Sequence, residues 1–302
     1  MGRILTVCLN PTFQQTLVLN NLHKREVNRT SHYYHDVAGK GLNVTRILTQ
    51  LGSPAEHLTH IGGESADLYL KMNQADQIPI VYITCTTQIR TCYTLIDQRD
   101  HSATEIVEEP EKVDPHVEQL IVSEFNQRLQ EADMLIISGS LADGYSPGLY
   151  PEMVREAKKV QKTVILDIRG SMLISSLIHR PDFIKINADE FKLTFGESQS
   201  IENQMQLLWN QYGTRCIITD GEKTTRFVDG NTIHHITPRS ITPVNPIGSG
   251  DAFTAGFAHA LNHGTSVHHA VKTGQECGIL NALTIRPGRL PPGFEPDLPE
   301  FH

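Results

Sequence analysis

The chain has 302 residues, a formal charge of −8, and 39% apolar and 20% charged residues, enough to bury one large core or two small ones. It holds no run of the roughly 18 apolar residues that a bilayer crossing needs, which argues against a membrane partner. With no basic run to track a nucleic-acid backbone, that partner is disfavoured as well, and any phosphate ligand has to be held by a few local cations.

Met1 leads straight into RILTVCLN (3–10), which has neither the length nor the cleavage site of a signal peptide, so a cytoplasmic location is expected. RILTVCLN reads as a first core strand. Next come TLVLNNL (16–22), VNRTSHYYHDV (27–37), IPIVYITC (78–85) and CYTLID (92–97), which alternate or carry β-branched and aromatic residues without long helices between them. They predict a small antiparallel sheet beside the main one, a lid built from about 12–36 and 80–106 on a single domain spanning 1–302. Within that third, Val44, Ile47, Leu48 and Leu51 recur at helical spacing after a glycine-rich turn, which predicts an amphipathic helix.

From about residue 114 the pattern changes. DMLIIS (133–138), TVILDI (163–168), DFIKIN (182–187) and RCIITD (215–220) are short apolar runs separated by helical patterns. They predict an α/β fold with a mostly parallel sheet covered on both faces. The runs end at Ser138, Asp167, Lys185 with Asn187, and Thr219-Asp220-Gly221. Ligands of open α/β sheets bind beyond the carboxyl ends of the strands, so these residues should meet in one crevice.

The last informative stretch is NPIGSGDAFTAGF (245–257), where glycines open an apolar helical stripe of Phe253, Phe257 and Leu261 and an aspartate follows at once. Two readings stand side by side. Asp251 can be a residue that favours a helix start through the macrodipole. Alternatively, the amides of Gly248, Ser249 and Gly250 hold charge on a transferring phosphoryl group while Asp251 accepts a hydroxyl proton. The dinucleotide pattern GxGxxG fails because Phe253 stands at its third glycine, and no GxxxxGK[ST] is present. Five scattered cysteines without CxxC spacing argue against a disulfide framework or zinc site. The pairs His234-His235 and His268-His269 do not converge on a metal, because neighbours in sequence point apart.

Taken jointly, Asn10-Pro11, AGKGLNVTRIL (38–48), Arg90, SGSL (138–141), NADE (187–190) and GSGDAFTAGF resemble the ribokinase-like carbohydrate kinases. The likeness is strongest to the phosphofructokinase-B branch, to which 1-phosphofructokinase and tagatose-6-phosphate kinase belong. The resemblance spans nearly the whole chain in order. It implies a three-layer αβα sandwich with a β lid, ATP as donor, Mg²⁺, and a sugar phosphate as acceptor. It implies Asp251 as catalytic base with Gly248, Ser249 and Gly250 as anion hole, and acceptor contacts from Gln14, Gly39, Lys40, Gly41, Asn43, Arg90 and Ser138. It further implies Lys185, Asn187, Glu190, Thr219, Asp220, Gly221 and Asn281 around the nucleotide, with Glu190 toward the metal. Asn187 and Glu190 also fit a plain capping box, and the two roles are compatible. The lid strands suggest a homodimer, since an unpaired sheet edge is a liability.

Two positions depart from the branch. Gln14 stands where an aspartate usually holds sugar hydroxyls; an amide both donates and accepts whereas a carboxylate only accepts, so the acceptor preference is open. Ala38 replaces the first glycine of GGKG and would be strained if that position required a positive φ. The expected activity is ATP-dependent phosphorylation of fructose 1-phosphate or tagatose 6-phosphate to the bisphosphate. The alternatives are a kinase of an unphosphorylated sugar or nucleoside, and a sensor that binds sugar phosphate without turnover.

Overall fold

The computed structural model describes residues 2–297. Numbered in chain order, the main sheet runs from edge to edge through Thr232–Ile236 (β13), Thr225–Asp229 (β12), Arg215–Thr219 (β11), Phe183–Asn187 (β10), Thr163–Asp167 (β9), Met134–Ser138 (β8), Ile4–Val7 (β1), Ala55–Gly62 (β4) and Ile80–Cys85 (β5). From β5 to β11 every pairing is parallel, and the two remaining pairings, β11–β12 and β12–β13, are antiparallel. The strands alternate their side chains between two faces, which divides the core. Leu135, Ile137, Val164, Leu166, Ile184 and Ile186 face a layer built from helices Pro115–Glu131 (α3), Leu149–Lys159 (α4), Gly170–Leu177 (α5), Ala188–Phe195 (α6) and Ile201–Tyr212 (α7). Met134, Ile136, Ile165, Phe183 and Ile217 face helices Lys40–Gln50 (α1), Ser249–Asn262 (α8) and Val267–Ala282 (α9) on the other side. Each such buried side chain stabilises the fold by ~1.5–3 kcal/mol. The continuous apolar runs of the sequence are therefore strands wetted on neither face.

The smaller sheet has the order Tyr33–Ala38 (β3), Thr12–Leu19 (β2), Arg90–Asp97 (β6) and Ser102–Val107 (β7). It corrects the expected lid in two respects. Ile80–Cys85 is not part of it: a ten-residue helix, Ala66–Ala75 (α2), crosses between β4 and β5, and a crossover of that length returns the chain parallel to the main sheet. The lid is also mixed, because β2 and β6 run parallel, with β3 and β7 antiparallel to them.

The topology fixes where a ligand belongs. From β1 the chain moves to β4 and β5 on one side and then returns to β8 on the other, so the order reverses between β1 and β8. The crevice beyond the carboxyl ends of those two strands is the topological switch point. Asn10 follows β1, Ser138 ends β8, and the turn into α1 passes over both. All five cysteines are free, and among the described residues no helix is long and apolar enough to cross a membrane.

Candidate active site

Two helix N-termini meet at this crevice, those of α1 and α8, both on the same face of the sheet. The start of α8 rests on Gly248, whose φ of 81° is left-handed and whose added Cβ would lie 2.7 Å from the backbone nitrogen of Gly288. Only glycine fits there. Gly250 approaches so closely that a Cβ would stand 2.6 Å from Lys185 Nζ, which brings that cation to the start of α8, where the Ser249 amide donates to the Pro246 carbonyl at 3.2 Å.

Asp251 does not cap its own helix. The N-terminus of α8 has no side-chain cap, and Asp251 Oδ2 instead accepts from Asn43 Nδ2 on α1 at 2.8 Å. The side chain is buried, and burial is the main reason its pKa is pushed up to about 6 from 3.8; Lys40 pulls it down, Asp167 raises it, and the Asn43 hydrogen bond and Lys185 lower it. A buried carboxylate with an acidity constant close to neutrality is suited to accept a proton.

Lys40 is the first residue of α1, where the helix dipole opposes a cation. Its Nζ lies 3.6 Å from Asp167 Oδ1, and that carboxylate holds the ammonium above its ordinary value. With 44% of the Lys40 side chain open to solvent, water screens the pair and its worth to stability is small. Asp167 itself is the hub of the site: its Oδ2 also lies 3.3 Å from Lys185 Nζ and accepts from Thr254 Oγ1 of α8 at 3.0 Å. Burial would raise its pKa, but Lys185, Lys40 and the Thr254 hydroxyl outweigh it and the carboxyl is held below the usual range. Asp167 thereby holds both ammonium groups, that of Lys40 from the start of α1 and that of Lys185 from β10, close enough to lower the pKa of Asp251.

Asn187 and Glu190 form the capping box that opens α6: Asn187 Oδ1 accepts from the Glu190 amide at 2.8 Å, and Glu190 Oε2 lies 3.5 Å from the Asn187 amide. Glu190 Oε1 also faces Arg169 Nη1 at 3.3 Å. Thr219 lies beside Asn187 across β10 and β11, and Asp220 just beyond faces Lys223 and Arg226. Asn281 is fully buried and its amide is committed to the fold: it donates to Ile247 O and Ser249 Oγ and accepts from the Gly288 and Arg289 amides. It braces the glycine turn rather than presenting a polar group to the crevice.

On the lid, Gln14 is buried and its Nε2 donates to Thr94 Oγ1 at 2.9 Å. Arg90 donates from Nη1 to Glu108 O, and its buried Nε has no protein partner among the described residues. Ser138 Oγ and Asn10 Oδ1 are in the same condition on the crevice floor. Such orphans at the mouth of a site are places for a polar ligand. Ala38 carries no strain: it ends β3, and the positive φ falls on Gly39 at 122°.

The sequence points Asp167 to the crevice and Asn10 to a family motif without giving either a role, and it does not single out Thr254 or Arg46. Asp167 had a signal, a carboxylate at the end of an apolar strand. Arg46 sits three residues after Asn43, one turn along the same helix face. As for a metal, no group of three or more His, Cys, Asp or Glu side chains capable of holding one occurs among the described residues. Mg²⁺ is usually held by one or two carboxylates together with substrate phosphates and water, and the Glu190 carboxylate is a donor of the fitting kind.

The class of protein follows from comparison as well as from geometry. The model of the pfkB family of carbohydrate kinases matches residues 11–289, and the chain belongs to that family. Solved structures share its fold at low identity. Phosphofructokinase-2 of Escherichia coli in complex with fructose-6-phosphate superposes with a TM-score of 0.84 at 19% identity, covering 94% of each chain. A protein of Thermotoga maritima described as a possible 1-phosphofructokinase gives 0.87 at 19%, covering 96% of this chain and 94% of that one. Ribokinase from the same organism gives 0.76 at 19%, covering 95% of both. The expected ribokinase-like sandwich and the carbohydrate-kinase class both hold.

Proposed function

We propose that the chain transfers the γ-phosphoryl group of ATP to a primary hydroxyl of a ketohexose phosphate, fructose 1-phosphate or tagatose 6-phosphate. The observation that carries this reading is Asp251: a buried carboxylate at a glycine-built helix start, with a pKa of about 6, hydrogen-bonded to another helix rather than to its own. In the proposed reaction, Oδ1 of Asp251 takes the proton of the acceptor hydroxyl as its oxygen bonds to the γ-phosphorus. The bond from that phosphorus to the β–γ bridging oxygen breaks, and ADP leaves with the electron pair. The amides of Gly248 to Gly250 and the Lys185 ammonium stabilise the charge that spreads over the transferring oxygens. Glu190 would be the protein carboxylate that holds Mg²⁺, which when bound would supply neutralisation of the phosphate charge. Thr219, Asp220 and Gly221 flank the nucleotide beside Asn187, and Asn281 serves it indirectly through the turn it braces.

The preference for a phosphorylated acceptor is supported by Lys40 and by Arg90, whose buried Nε lacks a protein partner and whose planar fork suits a phosphate. Gln14, Asn43 and Ser138 are assigned to the sugar. We assign the lid to a homodimer as well, because its edge strands β3 and β7 expose Tyr33 at 68%, Ile106 at 53% and Val107 at 49%. A panel of fructose 1-phosphate, tagatose 6-phosphate, fructose 6-phosphate, free fructose, ribose and adenosine with ATP and Mg²⁺, read by ADP formation, tests the reading. Preference for an unphosphorylated acceptor would remove Lys40 and Arg90 from their roles. Ligand-induced thermal stabilisation without any ADP release would make the chain a sensor instead.

A further inference from the structure

Asn43 has two chemically different ends, and its usefulness to Asp251 depends on which one faces it. Its Oδ1 accepts from Arg46 Nη1 at 2.8 Å, while its Nδ2 donates to Asp251 Oδ2 at 2.8 Å. A guanidinium only donates and a carboxylate only accepts. Reversing the amide would set NH₂ against the guanidinium and C=O against the carboxylate, two repulsive contacts in place of two hydrogen bonds. The direction of the amide is therefore dictated by its neighbours, and the charge that dictates it on the far side is Arg46.

Arg46 is built for this task. It is only 2% exposed, and Nε donates to Asp76 Oδ2 at 3.2 Å while Nη2 donates to the carbonyl of Val37. Asp76 is in turn bound by Arg289, which also reaches Asp36 on the lid strand β3. A buried cation is costly unless paired and hydrogen-bonded, and here three of its nitrogens are used and its counterion is shared. Oδ1 of Asp251, by contrast, accepts no hydrogen bond from the described residues and stays open to the crevice.

We propose that Arg46 is a positioning residue for phosphoryl transfer: by donating to Asn43 Oδ1 it locks the amide so that Nδ2 occupies one oxygen of Asp251 and leaves the other for the acceptor hydroxyl. The proposal rests on Asp251 being the base. It adds a residue that touches neither substrate nor the reacting atoms.

The test is a double-mutant cycle of Arg46→Gln and Asn43→Ala, with kcat, KM and the pH dependence of kcat/KM measured for each protein and folding checked by thermal midpoint. Glutamine offers either polarity and no longer dictates the amide. Around Asp251 stand the Lys40 ammonium on α1, the Asp167 carboxylate ending β9, the Lys185 ammonium on β10 and Cys8 just after β1, all unchanged in these variants. The expected result for Arg46→Gln is a fall in kcat of about tenfold or more, KM within about threefold, and an acid limb displaced upward by about one pH unit as the freed amide turns its carbonyl to the base. In the Asn43→Ala background the same substitution is expected to change neither kcat nor the limb. Equal effects in both backgrounds, or an unmoved limb in Arg46→Gln alone, would overturn the proposal. Should Arg46→Gln not fold, Arg46→Lys decides: it keeps the charge beside Asp76 on a single nitrogen, and a smaller loss confined to the Asn43 background is expected, an equal loss in both refuting it. Asp251→Asn separates the layers of the reading. If that variant turns over normally the assigned base fails, whereas an inactive Asp251→Asn with an additive cycle sinks the Arg46 step alone.

Discussion

Replacing Asp251 by asparagine should make the protein more stable and far less active, and the size of both effects follows from the site. Asparagine has the shape of a protonated aspartate and can still accept from Asn43 through its carbonyl oxygen. The folded-state pKa of about 6 against the ordinary 3.8 corresponds to about 3 kcal/mol at 1.36 kcal/mol per tenfold change. The folded protein binds the proton more tightly than the unfolded chain, so wild-type stability falls as pH rises from 3.8 to about 6. Above that window the whole penalty is present; below it there is none. Asp251→Asn escapes the penalty and should unfold at a higher temperature at pH 8, by roughly 5 °C for a chain of this size, with the difference closing as pH approaches 4. Loss of a positioned general base should meanwhile cost about 10²- to 10⁴-fold in kcat. Thermal unfolding of both proteins from pH 4 to 8, beside ADP-coupled turnover, measures both. An asparagine variant that is less stable at pH 8, or that keeps near-normal turnover, would refute the account of this carboxylate.

Other outcomes are equally specific. For the wild type, kcat/KM should fall below about pH 6 as Asp251 protonates, and a profile flat to pH 5 would contradict that. Arg90→Lys should raise KM for phosphorylated acceptors by about 10- to 100-fold, from the loss of a bidentate contact, with little change in KM for ATP; an equal rise for free sugars would dissociate Arg90 from the phosphate. Gly248→Ala, which sets a Cβ 2.7 Å from the Gly288 nitrogen at a φ of 81°, should cost about 1–3 kcal/mol of stability and reduce kcat, checked by thermal midpoint and turnover. Tyr33→Glu on the exposed lid edge should shift a lid-paired dimer to monomer in sedimentation, and an unchanged mass would detach oligomerisation from that edge.

The sequence by itself determined the sandwich and pointed to most residues of the candidate site. The stretches MLII (134–137) and VIL (164–166) are apolar at every position, and a strand like that is stable between two helical layers. The glycines of GSGD announced a helix start, because the left-handed backbone at Gly248 tolerates only glycine. Local patterns carry that kind of information since their causes are local. The tertiary structure decided what depends on distant parts of the chain. Ile80–Cys85 looks in sequence like another lid strand, and only the helical crossover before it sends it to the edge of the main sheet. Asp167 reads as one acidic strand end among several until the fold brings Lys40, Lys185 and Thr254 around it. Likewise the choice between a capping aspartate and a base-like one could not be made within α8, because the partner that claims Asp251 lies 208 residues away on α1. Hydrogen-bond partners and burial set the chemistry of a carboxylate, and both are properties of the packed chain.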